Sequence, residues 1–173
     1  MLPPEHGHLL DLKTRHLTCA CEPCSFLFVH RGASSLRRVG RRIRRLNDFQ
    51  MDAADWESLR IPIGLAFFVN SSVESRVLAL YPGPAGATES LLKFDAWREI
   101  AERNPVLTEM EPDVEALLVN RVGGKGDHYL VPIDRCYELV GIIRAQWRGF
   151  SGGEEAWRDI GAFFARLGAA DGA

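Results

Sequence analysis

The sequence contains no long apolar segment and no second Cys-x-x-Cys pair. Without a run of about 18 apolar residues, no helix is predicted to span a membrane. No charged N-terminal stretch precedes an apolar core, so no secretory signal is predicted. Four cysteines, three of them between Cys19 and Cys24, do not resemble the disulfide framework of a secreted protein. These absences predict a cytoplasmic protein.

The motifs of zinc proteases and dinucleotide-binding enzymes are also missing, since neither H-E-x-x-H nor the Rossmann glycine pattern occurs. The glycine-rich segment 123–126 lacks the spacing of a phosphate-binding loop, and apolar strands flank it, so a hairpin turn is predicted. No catalytic and no cofactor-binding residue is assigned. Whether the protein is an enzyme stays open at this point.

The apolar pattern predicts an antiparallel sheet. A chain of 173 residues with 46% hydrophobic and 25% charged residues is typical of one globular domain. Ile63–Val69 is continuously apolar, as a strand buried on both faces would be, and Arg76–Tyr81 is its expected partner. Val114–Asn120 and Tyr129–Val131 predict a second hairpin. The predicted sheet has about four strands.

Two amphipathic helices are predicted at the C-terminus, where apolar residues recur at helical spacing. The first starts near Asp134, and the second is expected to begin with a capping box between Ser151 and Glu154. Asp52 is the expected N-cap of a shorter helix. The fold class is therefore α+β: a sheet packed by a C-terminal helical hairpin. A cysteine-knuckle segment resembling part of a zinc ribbon is assigned to residues 1–30, and the α+β domain to residues 31–173.

The cysteine cluster is the sharpest chemical signal, because Cys21 and Cys24 have the spacing with which two thiolates hold one metal ion. Further ligands are expected nearby, and the predicted zinc or iron site comprises Cys19, Cys21, Cys24, His16 and His8, with His6 as another candidate. A redox dithiol is the second interpretation. This interpretation requires the first cysteine to lie at a helix N-terminus. Ser25–Val29, however, is predicted to favour a strand, which counts against it. Inert, reduced cysteines are the third.

Two charged segments and one unusual loop are the other candidates. One segment is rich in arginine and predicts either a phosphate-binding strip or a solvated face. Its six arginines are Arg37, Arg38, Arg41, Arg42, Arg44 and Arg45. Carboxylates between 109 and 115 are predicted to form a solvated edge. The loop around Pro82–Ser90 combines rigid and permissive residues, and its predicted partner-binding residues are Pro82, Gly83, Gly86, Thr88 and Glu89.

Several strings of this sequence are distinctive: His8-Leu9-Leu10-Asp11-Leu12, Cys19-Ala20-Cys21 with Cys24, Tyr81–Ser90, Asp113–Arg121, Tyr129–Asp134 with Cys136-Tyr137, and Trp147-Arg148-Gly149 followed by Ser151-Gly152-Gly153. Together they resemble a bacterial family of unknown function that is associated with gene clusters for [NiFe] hydrogenases. The resemblance covers nearly the whole chain. It implies a further Cys-x-x-Cys upstream of the histidines, which the printed sequence does not contain.

The resemblance and the residues lead to three expectations for function. The first is a non-enzymatic accessory or assembly protein for a redox metalloenzyme, with a hydrogenase subunit or maturation factor as protein client. The second is a zinc-ribbon protein that binds nucleic acid through the arginines. The third is a small thiol oxidoreductase that uses Cys21 and Cys24.

Overall fold

Two antiparallel sheets and five helices make up the computed structural model, which describes residues 6–29, 35–149 and 151–171. In chain order the strands are β1 (Gly7–Asp11), β2 (Leu17–Ala20), β3 (Leu36–Arg38), β4 (Arg44–Arg45), β5 (Leu65–Ser71), β6 (Arg76–Gly83), β7 (Gly86–Ser90), β8 (Glu115–Asn120) and β9 (Asp127–Pro132). The helices are α1 (Glu22–Val29), α2 (Ala53–Leu59), α3 (Phe94–Arg103), α4 (Ile133–Gln146) and α5 (Gly153–Ala169).

The large sheet has six strands in the order β4-β9-β8-β5-β6-β7, and the small sheet has three in the order β2-β1-β3. The α+β class is therefore confirmed, whereas the prediction of about four strands is wrong. The four predicted strands form the middle of the large sheet. The two outer strands of the large sheet, β4 and β7, were missed because β4 is short and β7 carries many polar residues, so hydrophobic alternation does not reveal them.

The large sheet is buried on both faces. Phe67 and Phe68 are neighbours on β5, both are 0% exposed, and they point into two different core clusters because side chains alternate along a strand. One face packs against α4 and α5 together with residues of the small sheet. The other face packs against residues of α2 and α3. The continuous apolar run therefore belongs to a central strand, as predicted.

Helix starts follow the predicted capping chemistry in one case and not in another. Asp52 caps α2, because its carboxylate accepts from the backbone N–H of Asp55 at 2.8 Å. The Asp55 carboxylate in turn accepts from the backbone N–H of Asp52 at 2.9 Å, which completes a capping box. The capping box predicted at α5 is wrong. Gly152, with a left-handed φ of 85°, is the N-cap there, and no side chain caps the helix.

The small sheet lies beside α4. A hydrogen bond between His8 of β1 and Asp134 of α4 joins them. Leu10 of β1 and Val39, which follows β3, contribute to the core on that face. Among the described residues, every helix is too short or too polar to cross a bilayer.

Candidate functional site

Three side chains of types that can ligate a metal ion meet on one face of the β1–β2 hairpin. His6 and His8 are two positions apart, so they lie on the same side of the extended chain. Cys19 is paired directly opposite His8 in the antiparallel register. One ligand atom from each of His6, His8 and Cys19 lies within 4.8 Å of the other two. Imidazole nitrogen and thiolate sulfur are the ligands that zinc and similar metals prefer.

A carboxylate from another part of the chain holds His8 in place. Nδ1 of His8 is 2.8 Å from Oδ2 of Asp134, which lies in the first turn of α4. When His8 donates its Nδ1 proton to this carboxylate, Nε2 carries the lone pair that a metal needs. The His6 ring stands edge-on to the His8 ring, with the ring centroids 5.0 Å apart.

A separate thiol pair lies at the start of α1. The helix begins at Glu22, directly after Cys21, and the backbone N–H of Ser25 donates to the Cys21 carbonyl at 2.9 Å. Cys21 therefore precedes the first turn, where unpaired N–H groups favour a thiolate. The expectation that Ser25–Val29 favours a strand is wrong, because these residues form the helix.

Hydrogen bonding shifts the pKa values of the two thiols in opposite directions. The Cys24 thiol and then its backbone N–H donate to the Cys21 sulfur, and these contacts lower the pKa of Cys21. The same side-chain hydrogen bond raises the pKa of Cys24, and the negative charge of Cys21 adds to that effect. The Cys21 thiol therefore loses its proton before the Cys24 thiol does. All four cysteines are reduced.

The residues predicted to bind one metal ion fall into three places. His8 and Cys19 come together with His6. Cys21 and Cys24 interact with each other at α1. His16 lies at the other end of the hairpin, where its carbonyl accepts from the backbone N–H of Asp11 at 3.0 Å. That position is three residue pairs along from Cys19, or about 10 Å.

An apolar surface adjoins the thiol pair. Leu27 and Phe28 are 63% and 49% exposed, and they follow Cys24 by three and four residues. Residues at that spacing lie on the same face of a helix, so both apolar side chains flank the Cys24 thiol. Phe26, also on α1, is partly covered by the Arg38 guanidinium, which lies 4.4 Å from its ring centroid. The surface beside the thiol pair is therefore apolar and exposed.

The comparisons with known proteins identify a family. The model of a family of unknown function, DUF5947, matches residues 1–171. This chain belongs to the DUF5947 family. Neither the search of curated proteins nor that of solved structures found a match. The resemblance to a family of unknown function is confirmed in this form, and the association with hydrogenase gene clusters stays a prediction.

The predicted partner-binding loop of this DUF5947 protein is a tight β-hairpin. Pro82 and Gly83 end β6, Gly86 begins β7, and Gly83 pairs with Gly86. Thr88 and Glu89 lie on β7, which is the outer strand of the large sheet. The Glu89 carboxylate accepts from Arg76 at 2.6 Å. The hairpin presents its tip to solvent, but nothing in its geometry selects a ligand.

The arginine run of the DUF5947 protein is largely neutralised by its own carboxylates. Four of the six arginines form ion pairs with acidic residues: Arg38 with Glu22, Arg42 with Glu115, Arg44 with Glu109, and Arg45 with Asp127. The carboxylates predicted as a solvated edge are thus partly the partners of the arginines, and Glu115 is buried. Arginines engaged in this way present less free charge to a phosphate backbone.

Two other sequence features have structural roles. Cys136 is fully buried on the sheet-facing side of α4, as predicted for a core residue, and burial raises its pKa well above the ordinary value. Residues 149–153 spell Gly-x-Ser-x-Gly, the letters of a hydrolase nucleophile elbow. Of these, Gly149, Ser151 and Gly152 lie between helix α4 and helix α5, whereas that elbow joins a strand to a helix.

Sequence reasoning missed Asp134 as a partner of His8 and the apolar face of α1. Asp134 is 126 residues from His8, and no local pattern connects them. Helix α1 has almost no amphipathic pattern, because its apolar residues Phe26, Leu27, Phe28 and Val29 are consecutive. The one available signal was Pro23, since proline fits the first turn of a helix.

Proposed function

We propose that this protein is an accessory factor that binds a client polypeptide through α1 and reduces a disulfide between the client's cysteines with the Cys21–Cys24 dithiol. The client is a subunit or maturation factor of a redox metalloenzyme, and in the narrowest form of the proposal it belongs to a [NiFe] hydrogenase. The observation that carries the proposal is the position of an unlike thiol pair at a helix start beside exposed Leu27 and Phe28.

The dithiol has the arrangement that disulfide exchange requires. Cys21, whose pKa is lowered, attacks one sulfur of a client disulfide as a thiolate, and the other client sulfur leaves as a thiolate. Cys24 then loses its proton and attacks Cys21, which releases the second client thiolate. The client gains two electrons and two thiols, and this protein is left with a Cys21–Cys24 disulfide. A cellular dithiol reductant restores the starting state.

This chemistry fits a metalloenzyme client. A cysteine binds metal only as a thiolate, so a client whose ligand cysteines have oxidised to a disulfide cannot be loaded. Reduction by an accessory protein would make those ligands available. The specific client class comes from the family resemblance and is part of the proposal.

The apolar face of α1 supplies the contact surface. Leu27 and Phe28 are exposed, and burying such side chains contributes about 1.5–3 kcal/mol each. Because they flank Cys24, a polypeptide bound there brings its cysteines to the dithiol. Contact and chemistry therefore share one helix.

The test is capture of the client as a mixed disulfide. Cys24→Ser leaves the Cys21 nucleophile and removes the thiol that resolves the intermediate, so this variant should accumulate the mixed disulfide. Cys21→Ser is the matched control and should trap nothing. The trapped partner is identified by mass spectrometry from cells that express a hydrogenase. If the Cys24→Ser variant captures no metalloenzyme subunit or maturation factor, the proposal is wrong.

A second pair of variants tests the surface. Leu27→Glu places a charge on the apolar face and should reduce trapping by Cys24→Ser. Leu91→Glu is the control, because Leu91 is 93% exposed and lies outside α1. Equal trapping by both charged variants would show that the client does not bind through α1.

The nucleic-acid alternative receives less support from the geometry, because four of the six arginines are paired with carboxylates of the same chain. Its test is binding to DNA or RNA at low salt, where phosphate contacts are strongest. Under the proposal made here, no binding is expected.

A further inference from the structure

We propose that His6, His8 and Cys19 form a binding site for a divalent transition metal of the Zn²⁺, Co²⁺ and Ni²⁺ type, with Asp134 as the residue that orients His8. This site is distinct from the Cys21–Cys24 dithiol and goes beyond the function proposed above. It also differs from the ligand set that the cysteine spacing predicts, because Cys21, Cys24 and His16 take no part.

The backbone alone brings the three ligands together. In the β1–β2 hairpin, His8 and Cys19 face each other across the ladder, and His6 lies two residues before His8 on the same side. The result is three ligand atoms within 4.8 Å of one another.

The donor set selects the class of metal. Two imidazoles and one thiolate are borderline-soft ligands, which suit Zn²⁺, Co²⁺ and Ni²⁺. Mg²⁺ and Ca²⁺ prefer oxygen ligands and should not bind. Three protein ligands also leave one tetrahedral position open, as in zinc sites that bind an exchangeable water or substrate.

Asp134 is placed as the outer partner of a metal-bound histidine. Its Oδ2 is 2.8 Å from Nδ1 of His8, an arrangement that directs Nε2 toward the metal and makes the imidazole a better donor. Its other oxygen, Oδ1, is buried and accepts no hydrogen bond from the part of the chain that the structure describes. Because Asp134 belongs to α4, a metal bound to His8 would also tie the small sheet to the rest of the protein.

A pocket adjoins the two histidines. This cavity of about 340 Å³ is lined by His6, His8 and Asp134, and Arg41 and Arg135 also line it. Two arginines favour an anionic ligand in the pocket. The fourth ligand is therefore expected to be water or a small anion.

The first experiment uses the Cys21→Ser/Cys24→Ser double variant, so that the dithiol cannot contribute. Titration with Co²⁺ under anaerobic conditions should show saturation at one ion per chain and a thiolate-to-cobalt charge-transfer absorption. Adding Zn²⁺ should displace Co²⁺ and protect Cys19 from alkylation. Absence of saturable Co²⁺ binding by the double variant, or alkylation of Cys19 that Zn²⁺ does not slow, would overturn the proposal.

Single substitutions in the same background assign the ligands. Cys19→Ser should abolish the charge-transfer absorption, and His8→Gln should weaken Co²⁺ binding more than Asp134→Asn does. Asp134→Asn should weaken binding by about 10- to 100-fold, which is typical for the outer partner of a metal-bound histidine. His16→Gln is the matched control and should leave Co²⁺ binding unchanged. A loss with His16→Gln that equals the loss with His8→Gln would contradict the site.

The two proposals fail separately. Loss of mixed-disulfide trapping with intact Co²⁺ binding removes the dithiol function alone, and the reverse result removes the metal site alone. Far-UV circular dichroism of each variant establishes that it is folded. The titration of the double variant decides the metal proposal even if a ligand variant does not fold.

Discussion

Arg42 and Glu115 form a two-pronged ion pair across 73 residues of sequence. Nε of Arg42 is 2.9 Å from Oε1 of Glu115, and Nη2 is 2.6 Å from Oε2. Glu115 is 4% exposed, whereas Arg42 reaches it from the surface. The Glu115 carboxylate also accepts from the backbone N–H of Glu111 at 2.9 Å. A single arginine thus neutralises a buried carboxylate at the start of β8.

Arg42→Met should destabilise the protein by about 1–3 kcal/mol, because it leaves a buried carboxylate without its charged partner. Arg37→Met, on the same run, is the control and should change the free energy of unfolding by less than about 0.5 kcal/mol. Urea unfolding measures both. In the Arg42→Met/Glu115→Gln double variant, part of the lost stability should return. Additive losses would show that the pair is not coupled.

The core of the fold follows from the pattern of apolar residues, but the candidate site does not. The run around Phe67 and the stripe on α4 predict a two-sided sheet and a helical hairpin, because buried apolar residues recur at the spacing of the strand or helix that carries them. The pairs Arg42–Glu115 and His8–Asp134 join residues 73 and 126 positions apart. Polar contacts at such separations leave no periodic signal.

The cysteine cluster shows a different limit of sequence reasoning. The spacing of Cys21 and Cys24 predicts that the two thiols lie close together, and in the structure they interact. It says nothing about whether a strand or a helix follows, and that choice separates a metal knuckle from a redox dithiol. The residues after Cys24 are apolar without a helical pattern, so the sequence does not reveal that they form a helix.

Cys24→Ala should raise the pKa of Cys21 toward the ordinary thiol value of about 8.5. The Cys24 thiol is the main donor to the Cys21 sulfur, and its removal withdraws stabilisation from the thiolate. Below that pH, Cys21 of the unsubstituted protein should therefore react faster with iodoacetamide than Cys21 of the variant. Mass spectrometry of the alkylated Cys21 peptide across a pH series gives both midpoints. The protein unfolded in urea is the reference, and identical midpoints in all three samples would contradict this expectation.

Stability should fall as the pH falls from about 6.5 toward 4, because of His128. Burial, and then the charge of Arg121, lowers the pKa of His128 from 6.5 to about 4. The unfolded chain binds a proton in this interval and the folded protein does not, so acid favours unfolding. The ring stacks on Phe49 with centroids 4.6 Å apart. Up to about 3 kcal/mol of the stability present above pH 6.5 should be lost by pH 4.

Urea unfolding at several pH values measures this dependence. His128→Leu removes the titrating group and should flatten the slope between pH 6.5 and 4. The control is His16→Gln, which should keep the slope of the unsubstituted protein, because His16 lies at the hairpin end outside the core. If His128→Leu leaves the slope unchanged, other groups are responsible for the acid sensitivity.

Gly152→Ala should destabilise the protein by about 2–4 kcal/mol, whereas Gly161→Ala should stabilise it by about 0.5–1 kcal/mol. Gly152 has a φ of +85°, and a Cβ there would lie 2.9 Å from the Trp147 ring, so the α4–α5 connection cannot accept a side chain without moving. Gly161 lies inside α5 with open space around the added methyl, and alanine favours the helix. Thermal unfolding should show opposite shifts in Tm, of about 2–4 °C per kcal/mol. A neutral Gly152→Ala would mean that the connection adapts and that Trp147 does not fix the start of α5.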